Sequence, residues 1–533
     1  MAGRTLHPAV EEAIALHRAA VDRVMLRTIY INPTFPTNGD GSTWTQAASN
    51  GAPGACNAWG TGTYAGTFDS THFWRDNTRY LQAAETEVPT VTVYATDGSP
   101  MQGIILGTYD PATGDQIRDG TRHARIYRAT GGPALQLSDA ALNRRNILVD
   151  NIDARVADRT ATTGFRFGIS FNAPRFDDYT GIAIIRCILD GFRAVSGGGA
   201  SVTILGNDYN GWGSGFELQS TDLVLCGNAI YHPEWETRQQ WAGLTHVLPN
   251  GNGYTVSRLC VEYNDFRKQV MTEKECINLQ TTPIGQTSDS TPSGPVTIRY
   301  NMCSGAAQHI RTTLDNTEIA YNTFDRIHNI LDASPGGGAC AVAVHAKSCY
   351  IHDNFAYSPP EMPYGTFAKF TYAATTGTHR VHRNTVVGLR NAASAAPSGA
   401  SFALDMSGNV FTRSTYQNND GNSAFVTTLG TVTYTAANNM FYGTNEGAIQ
   451  FQVGYVNRTF AQYQSAVEPT AEWGPPDYDE NYRPMNKANG DPGNLIAKVS
   501  PGGGYDITGR IRSYPATAGA YEYQRDRRSR TLP

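Results

Sequence analysis

No Cys-x-x-Cys pair occurs among the eight cysteines of this 533-residue chain, which removes the commonest zinc and dithiol signatures. No apolar run reaches membrane-spanning length. Glu11, Glu12, Arg18, Asp22 and Arg23 interrupt the first 26 residues, so neither a secretory signal nor a membrane span is expected. Charge is sparse: 17% of residues are charged and the formal net charge is -5, below the quarter or so usual for globular chains. That balance offers no basic footprint, and no nucleic-acid partner is expected. Also lacking is an acidic cluster on one strand of the kind that holds calcium. No cofactor is expected.

What is present is repetition. Eleven segments carry an Asn or Asp with an apolar residue three positions before it and another two positions after. The anchors are Asp150, Asp190, Asn207, Asn228, Asn264, Asn301, Asn322, Asn354, Asn384, Asn409 and Asn439. Three before them stand Ile147, Cys187, Ile204, Leu225, Val261, Ile298, Ile319, Ile351, Val381, Met406 and Ala436. Two after stand Ile152, Phe192, Tyr209, Ile230, Phe266, Cys303, Phe324, Ala356, Val386, Phe411 and Phe441. With 40% of the chain hydrophobic, agreement at every flanking position excludes coincidence and marks a solenoid. Each rung is then an extended segment whose alternate side chains point inward, with Asn at a bend. Asn tolerates left-handed backbone there, and its amide can bond the same amide one rung away. These anchors are structural.

Anchor spacings run from 17 to 40 residues. A bare coil needs about 20, so the longer intervals are rungs with loops pushed outward, where function concentrates. Cys187, Cys260, Cys303 and Cys349 fall at or near inward positions and read as free, buried thiols. The segment from Pro8 to Leu26 reads as a helix, with Val10, Ile14, Val21, Val24 and Met25 along one stripe. Such a helix could associate with its copies or cover the open end of the solenoid. Three divisions follow: an N-terminal helical segment over 1–27, serving as cap or particle attachment, a solenoid over 28–445, and an irregular C-terminal segment over 446–533.

The repeated Ile-x-x-Asn-x-Phe rung resembles the right-handed parallel β-helix family of carbohydrate-active proteins. Two further features carry the resemblance: the opening Ile29-Tyr30-Ile31-Asn32-Pro33 with Asn38-Gly39-Asp40-Gly41, and the closing Asp506-Ile507-Thr508-Gly509-Arg510 with Gly519-Ala520-Tyr521-Glu522-Tyr523. The resemblance implies an all-β fold with a short N-terminal helix. It leaves the reaction open, because lyases, hydrolases and phage tailspikes share the architecture. A glycan-facing solenoid works outside the cell, and without an export signal its simplest route outward is release within a virus particle. The resemblance therefore implies a tailspike-like homotrimer in a phage tail, binding and hydrolysing a bacterial surface polysaccharide and joined to other tail proteins through its N-terminus. A non-catalytic receptor binder and a bacterial polysaccharide lyase are the alternatives. Removing residues 1–26 is expected to impair attachment to a particle or lower solubility while leaving the solenoid folded.

Two oversized rungs, of 36 and 37 residues, lie between Asn228 and Asn301. Their loops hold Glu234, Trp235, Glu236, Trp241 and His246, with Trp212 upstream. Exposed Trp offers an apolar face to sugar rings and carboxylates bond their hydroxyls, although Trp also pins long loops to a wall. Gly215–Gln219 and Cys276–Gln280 align as equivalent strands, which turns Glu217 outward with Glu273 and Glu275 two rungs away. Two rungs span about 10 Å, near the roughly 6.5–9.5 Å of an inverting glycosidase. Glu217, Glu273 and Glu275 are the candidate catalytic acids. A lyase would instead use Lys268, Lys274, His309 and Arg311, the last two being candidate glycan contacts in either case. Gln280 stands where the resembling lyase strands place a catalytic Lys. His379 and His382 are three apart, but His379 takes an inward slot, and no metal is expected.

Overall fold

A computed structural model describes residues 5–34, 41–47, 77–88, 91–93, 102–129, 132–137, 144–156, 167–171, 179–191, 193–209, 211, 215–232, 245–247, 256–279, 292–327, 339–359, 365–370, 377–395, 401–412, 424–443 and 450–476. Among them regular structure is nearly all strand, with two α-helices, α1 (Pro8–Asp22) and α2 (Phe460–Ala466). Strands pair in parallel with the equivalent strand one turn later. Ile298 lies opposite Ile319, then come Ile351, Val381, Met406 and Ala436 in one column. The fold is a parallel β-helix.

The chain divides into two compact units. The first comprises Met1–Val270, Ile277–Ile284 and Pro292–Pro295; the second comprises Met271–Cys276, Gly285–Thr291 and Val296–Pro533. In both, the apolar residues flanking the anchors form the buried core. Ala436 is the exception, being half-buried, and Phe192 lies outside the described residues. Of the predicted inward thiols, Cys187, Cys303 and Cys349 are free and buried, while Cys260 is free and half-buried.

Asn side chains form ladders at the bend. In the first unit the amide of Asn207 donates to Oδ1 of Asn228 at 3.0 Å, and Asn228 donates likewise to Asn264. In the second unit the ladder runs from Asn301 through Asn322, Asn354, Asn384 and Asn409 to Asn439. Glu468 then takes the next place. Its Oε1 accepts from the backbone and amide nitrogens of Asn439 at 2.7 and 3.0 Å, and its Oε2 accepts from the Tyr463 hydroxyl at 2.7 Å.

Two anchors are out of frame. Asp153 pairs with Ile188 and Ile188 with Asp208, so the slot of Asn207 falls at Cys187 and Ile152, not at Asp190 and Asp150. The Cys187 backbone N–H donates to Asn207 Oδ1 at 2.7 Å and ends the ladder there.

Asp150 instead meets α1. This helix has Pro8 in its first turn, and Val10, Ile14 and Val21 are its buried residues. It lies along the side of the first unit, where Leu6, Val10, Ile14 and Val21 cover Ile105, Leu148, Ala183, Ile185, Leu205 and Cys226. Val24 and Met25 fall beyond the helix end. Gly206 and Gly227 have φ of +64° and +67°, and a Cβ on either would come within 2.7 Å of Leu6 or 2.6 Å of Val10. Glycine lets the helix approach. Ion pairs fix its register: Glu11 with Arg186, Arg18 Nε with Asp150 Oδ2 at 3.0 Å, and Asp22 with Arg79 and Arg118 at 2.9 and 2.6 Å. The open-end expectation for this helix gives way to a position on the flank, because the outward side chains under it are apolar and need a cover.

Beyond residue 446 the described part is more regular than expected. Phe451–Val453 and Val456–Arg458 form an antiparallel hairpin. Thr459 then caps α2, its hydroxyl accepting from the Gln462 N–H, and Glu472–Trp473 pairs with Met440–Tyr442. The closing motif from Asp506 lies outside the described residues.

Candidate functional site

Strand register in the first unit aligns Glu217 with His246, and His246 with Asn278. This is the alignment expected from sequence. Glu217 sits between the buried Phe216 and Leu218 and points outward, half-exposed. Its carboxylate forms an ion pair with Arg193, whose guanidinium also lies 5.5 Å from the Phe167 ring. Glu273 and Glu275 lie on the strand Asp265–Leu279; their side chains, like that of His246, are outside the described set. Trp212, Glu234, Trp235, Glu236, Trp241 and Gln280 lie outside the described residues altogether.

His309 and Arg311 separate. His309 is fully buried beside Phe324, at 5.7 Å between rings, which removes it from any surface contact with glycan. Packing with a core aromatic explains its position. Arg311 is 8% exposed and lies on an outward column. His379 is buried between Phe370 and Phe402 at 4.7 and 4.9 Å, and burial pushes its pKa down to about 4. His382 belongs to a different set.

That set is the flank of the second unit, formed by residues one, two and four places before each ladder Asn. Glu318, Tyr350, Arg380 and Asp405 lie on successive rungs. Beside them run Ala320, His352, His382 and Ser407. At the corner stand Tyr300, Tyr321, Asp353 and Arg383, with φ from 54° to 59°. In a left-handed position such residues cost about 1–2 kcal/mol that glycine would avoid. Gly408 occupies the same place one rung further on, at φ 62°.

These groups form one network. His352 Nε2 lies 2.9 Å from Glu318 Oε1, and its Nδ1 lies 2.7 Å from Asp353 Oδ2. Arg383 grips Asp353 through Nε and Nη2 at 3.0 and 2.8 Å, and its Nη2 donates to the Tyr350 hydroxyl at 3.3 Å. Arg299 pairs with Glu318 and His382 with Asp405. Rings line the same face: Tyr300 stacks on Tyr321 at 4.8 Å, Tyr350 on His352 at 4.0 Å, and Tyr321 meets His352 edge-on at 5.6 Å. Burial opposes ionisation of Glu318, but hydrogen bonds from His352 and Arg299 hold its pKa down at about 2. Glu318 is thus an acceptor at neutral pH and no proton donor. Asp405 is also lowered, chiefly by its bond from His382. The arrangement can hold a ligand by ring faces and fixed donors and acceptors.

Sequence reasoning passed over this flank because it is assembled from successive rungs about 20 to 30 residues apart in sequence, which meet only through the coil. Alignment on the anchor frame would have found it, since Tyr300, Tyr321, His352-Asp353 and His382-Arg383 each directly precede an anchor.

No protein-family model matches the chain, and no curated protein matches it. Among solved structures, a mutant of the PL6-family alginate lyase AlyGC is similar at 11% identity and a TM-score of 0.42, over 85% of this chain and 57% of that one. The chain thus spans little more than half of the lyase. The tailspike protein of E. coli bacteriophage HK620, solved with a pentasaccharide, is similar at 10% identity and a TM-score of 0.33, over 86% and 76% of the two chains. No residue role passes across at such identities. The parallel β-helix stands on the strand register of this chain itself.

Proposed function

We propose that the protein binds a bacterial surface polysaccharide along the aromatic flank of its second unit, in the manner of a phage tailspike. The observation that supports this reading most directly is the tyrosine and histidine array at Tyr300, Tyr321, Tyr350 and His352, set among fixed carboxylates and guanidinium groups. Rings with polar edges suit the apolar faces and hydroxyl rims of sugars. Charges on the flank balance, with Arg299, Arg380 and Arg383 against Glu318, Asp353 and Asp405. Nucleic-acid phosphates would find no cationic excess there. In this reading the chain is a homotrimer in the virion, attached through its N-terminal segment and acting at the cell surface. Titration with purified capsule or lipopolysaccharide chains tests it. Tyr350→Ala should weaken binding by about 1–3 kcal/mol; absence of binding by the unaltered protein to any such polymer of its host would sink the reading.

A second reading adds hydrolysis at Glu217, favoured by its own outward, half-exposed place between Phe216 and Leu218. Glu217→Gln should then lower turnover by about 10² or more with binding retained, measured as polymer fragment size. Polymer left at full length by the unaltered protein would make it a non-catalytic receptor binder.

A further inference from the structure

The basic groups of the aromatic flank are nearly all committed to carboxylates. Arg299 pairs with Glu318, Arg383 with Asp353 and His382 with Asp405, while His352 lies between Glu318 and Asp353. Arg380 stands apart. It is exposed, and among the described residues its guanidinium makes no hydrogen bond and no ion pair.

The strand register explains why. His379 and Val381, on either side of Arg380, are buried, as are Cys349 and Ile351 on either side of Tyr350, so Arg380 and Tyr350 both point outward. They lie opposite one another on successive rungs, with Cα atoms about 4.8 Å apart. Asp405 occupies the same place one rung further on, but its oxygens are taken by other partners: Oδ2 lies 2.9 Å from His382 Nε2, and Oδ1 accepts from the Thr435 hydroxyl at 3.4 Å. His382 is accordingly the chief cause of the lowered Asp405 pKa, and the charge of Arg380 contributes least. The place is open to a ligand, since Arg380 and Thr378 are exposed on one strand while Tyr350 and Asp405 are half-exposed beside them.

We propose that Arg380 binds the carboxylate of a uronic acid residue whose sugar ring lies against Tyr350, so that the flank selects an acidic polysaccharide. A guanidinium presents a planar fork that matches both oxygens of a carboxylate. Asp405 limits the charge that can approach: a carboxylate brings one negative charge towards it, whereas a phosphate monoester brings about two. The polymer part of this inference rests on the polysaccharide reading above, whereas the carboxylate site stands on the open position of Arg380.

The test measures binding of polygalacturonate, its methyl ester and neutral dextran of matched length, with free galacturonate as a small probe. Polygalacturonate should bind at least about tenfold more tightly than the ester, as expected for a hydrogen-bonded charge, and the difference should shrink as salt rises. Arg380→Gln should abolish that preference without moving the thermal midpoint. Arg326→Gln, which removes a 54% exposed guanidinium from another column, should leave the preference intact. Galacturonate should shift the Arg380 Nε–H resonance. Polygalacturonate that binds no better than its ester, a preference intact in Arg380→Gln, or one lost equally in Arg326→Gln would overturn the site. If no polymer binds but galacturonate still shifts Arg380, the carboxylate site holds and the polymer reading fails; with no shift either, both fail. If host polysaccharide binds through Tyr350 while galacturonate leaves Arg380 unmoved, the polymer reading holds and the carboxylate site fails.

Discussion

The two units differ on one flank and agree inside. At two and four places before Asn207 and Asn228, the first unit has Leu205, Cys226 and Val224 under or against α1, with Thr203 the one polar residue. At the same places the second unit has Glu318, Tyr350, His352, His382 and Asp405, with no helix over them among the described residues. The inward columns that flank the ladder are apolar in both. Outward residues of a solenoid therefore report what covers them: the apolar strip of the first unit has α1 as its cover.

The largest effect should come from uncovering the first flank. Asp150 is fully buried, and its chief partner is Arg18 from α1. Burial raises its pKa, and Arg18 with Arg118 opposes that rise. Arg18→Ala should cost about 3–5 kcal/mol, as loss of one partner of a buried pair does. Deleting residues 1–26 should cost more, since the apolar strip is then bared too. Thermal unfolding measures both; an unchanged midpoint would show that the helix is not a structural cover. By contrast Tyr350→Ala, which removes one stacking contact on His352 and one acceptor for Arg383, should cost about 1–2 kcal/mol.

Each unit also buries an acid by a different means, which sharpens the comparison. Asp150 has arginines, whereas Glu468 has the Asn439 amides and Tyr463, itself bonded to Tyr434 at 2.8 Å. Without a cation, burial pushes the Glu468 pKa up to about 7. The unfolded carboxyl ionises near 4.5, so the fold favours the protonated form. That stability is complete below pH 4.5 or so, falls as pH rises, and is gone above about 7, a swing of about 3 kcal/mol. Glu468→Gln keeps an acceptor for Asn439 and should flatten this pH dependence. Parallel curves for the two proteins between pH 5 and 8 would contradict the assignment.

A smaller effect belongs to the ladder common to both units. The Asn384 amide donates to Ile351 O and to Asn409 Oδ1, each at 3.0 Å. Asn384→Ala should cost about 1–3 kcal/mol through groups left unsatisfied, and Asn228→Ala about the same, read from denaturant midpoints.

The solenoid was legible because inward residues recur at fixed offsets from Asn. It was misread at Asp150 and Asp190 because α1 makes the outward side apolar as well: Leu148 and Val149 are adjacent and both fully buried, so alternation no longer tells inside from outside. The stripe on α1 announced a buried face without saying against what. The flank at Tyr350 stayed hidden because each rung contributes only one to three of its residues, and no local window holds the set. Glu217 was placed correctly for the opposite reason, since its strand keeps clear alternation between Phe216 and Leu218.

Hydroxyl-radical footprinting of the protein saturated with host polysaccharide tests the central contrast most directly. The account predicts protection of Tyr300, Tyr321 and Tyr350, with Leu16 on the outer face of α1, 67% exposed in the free protein, as reactive as before. Protection of Leu16 with the three tyrosines unchanged would contradict it.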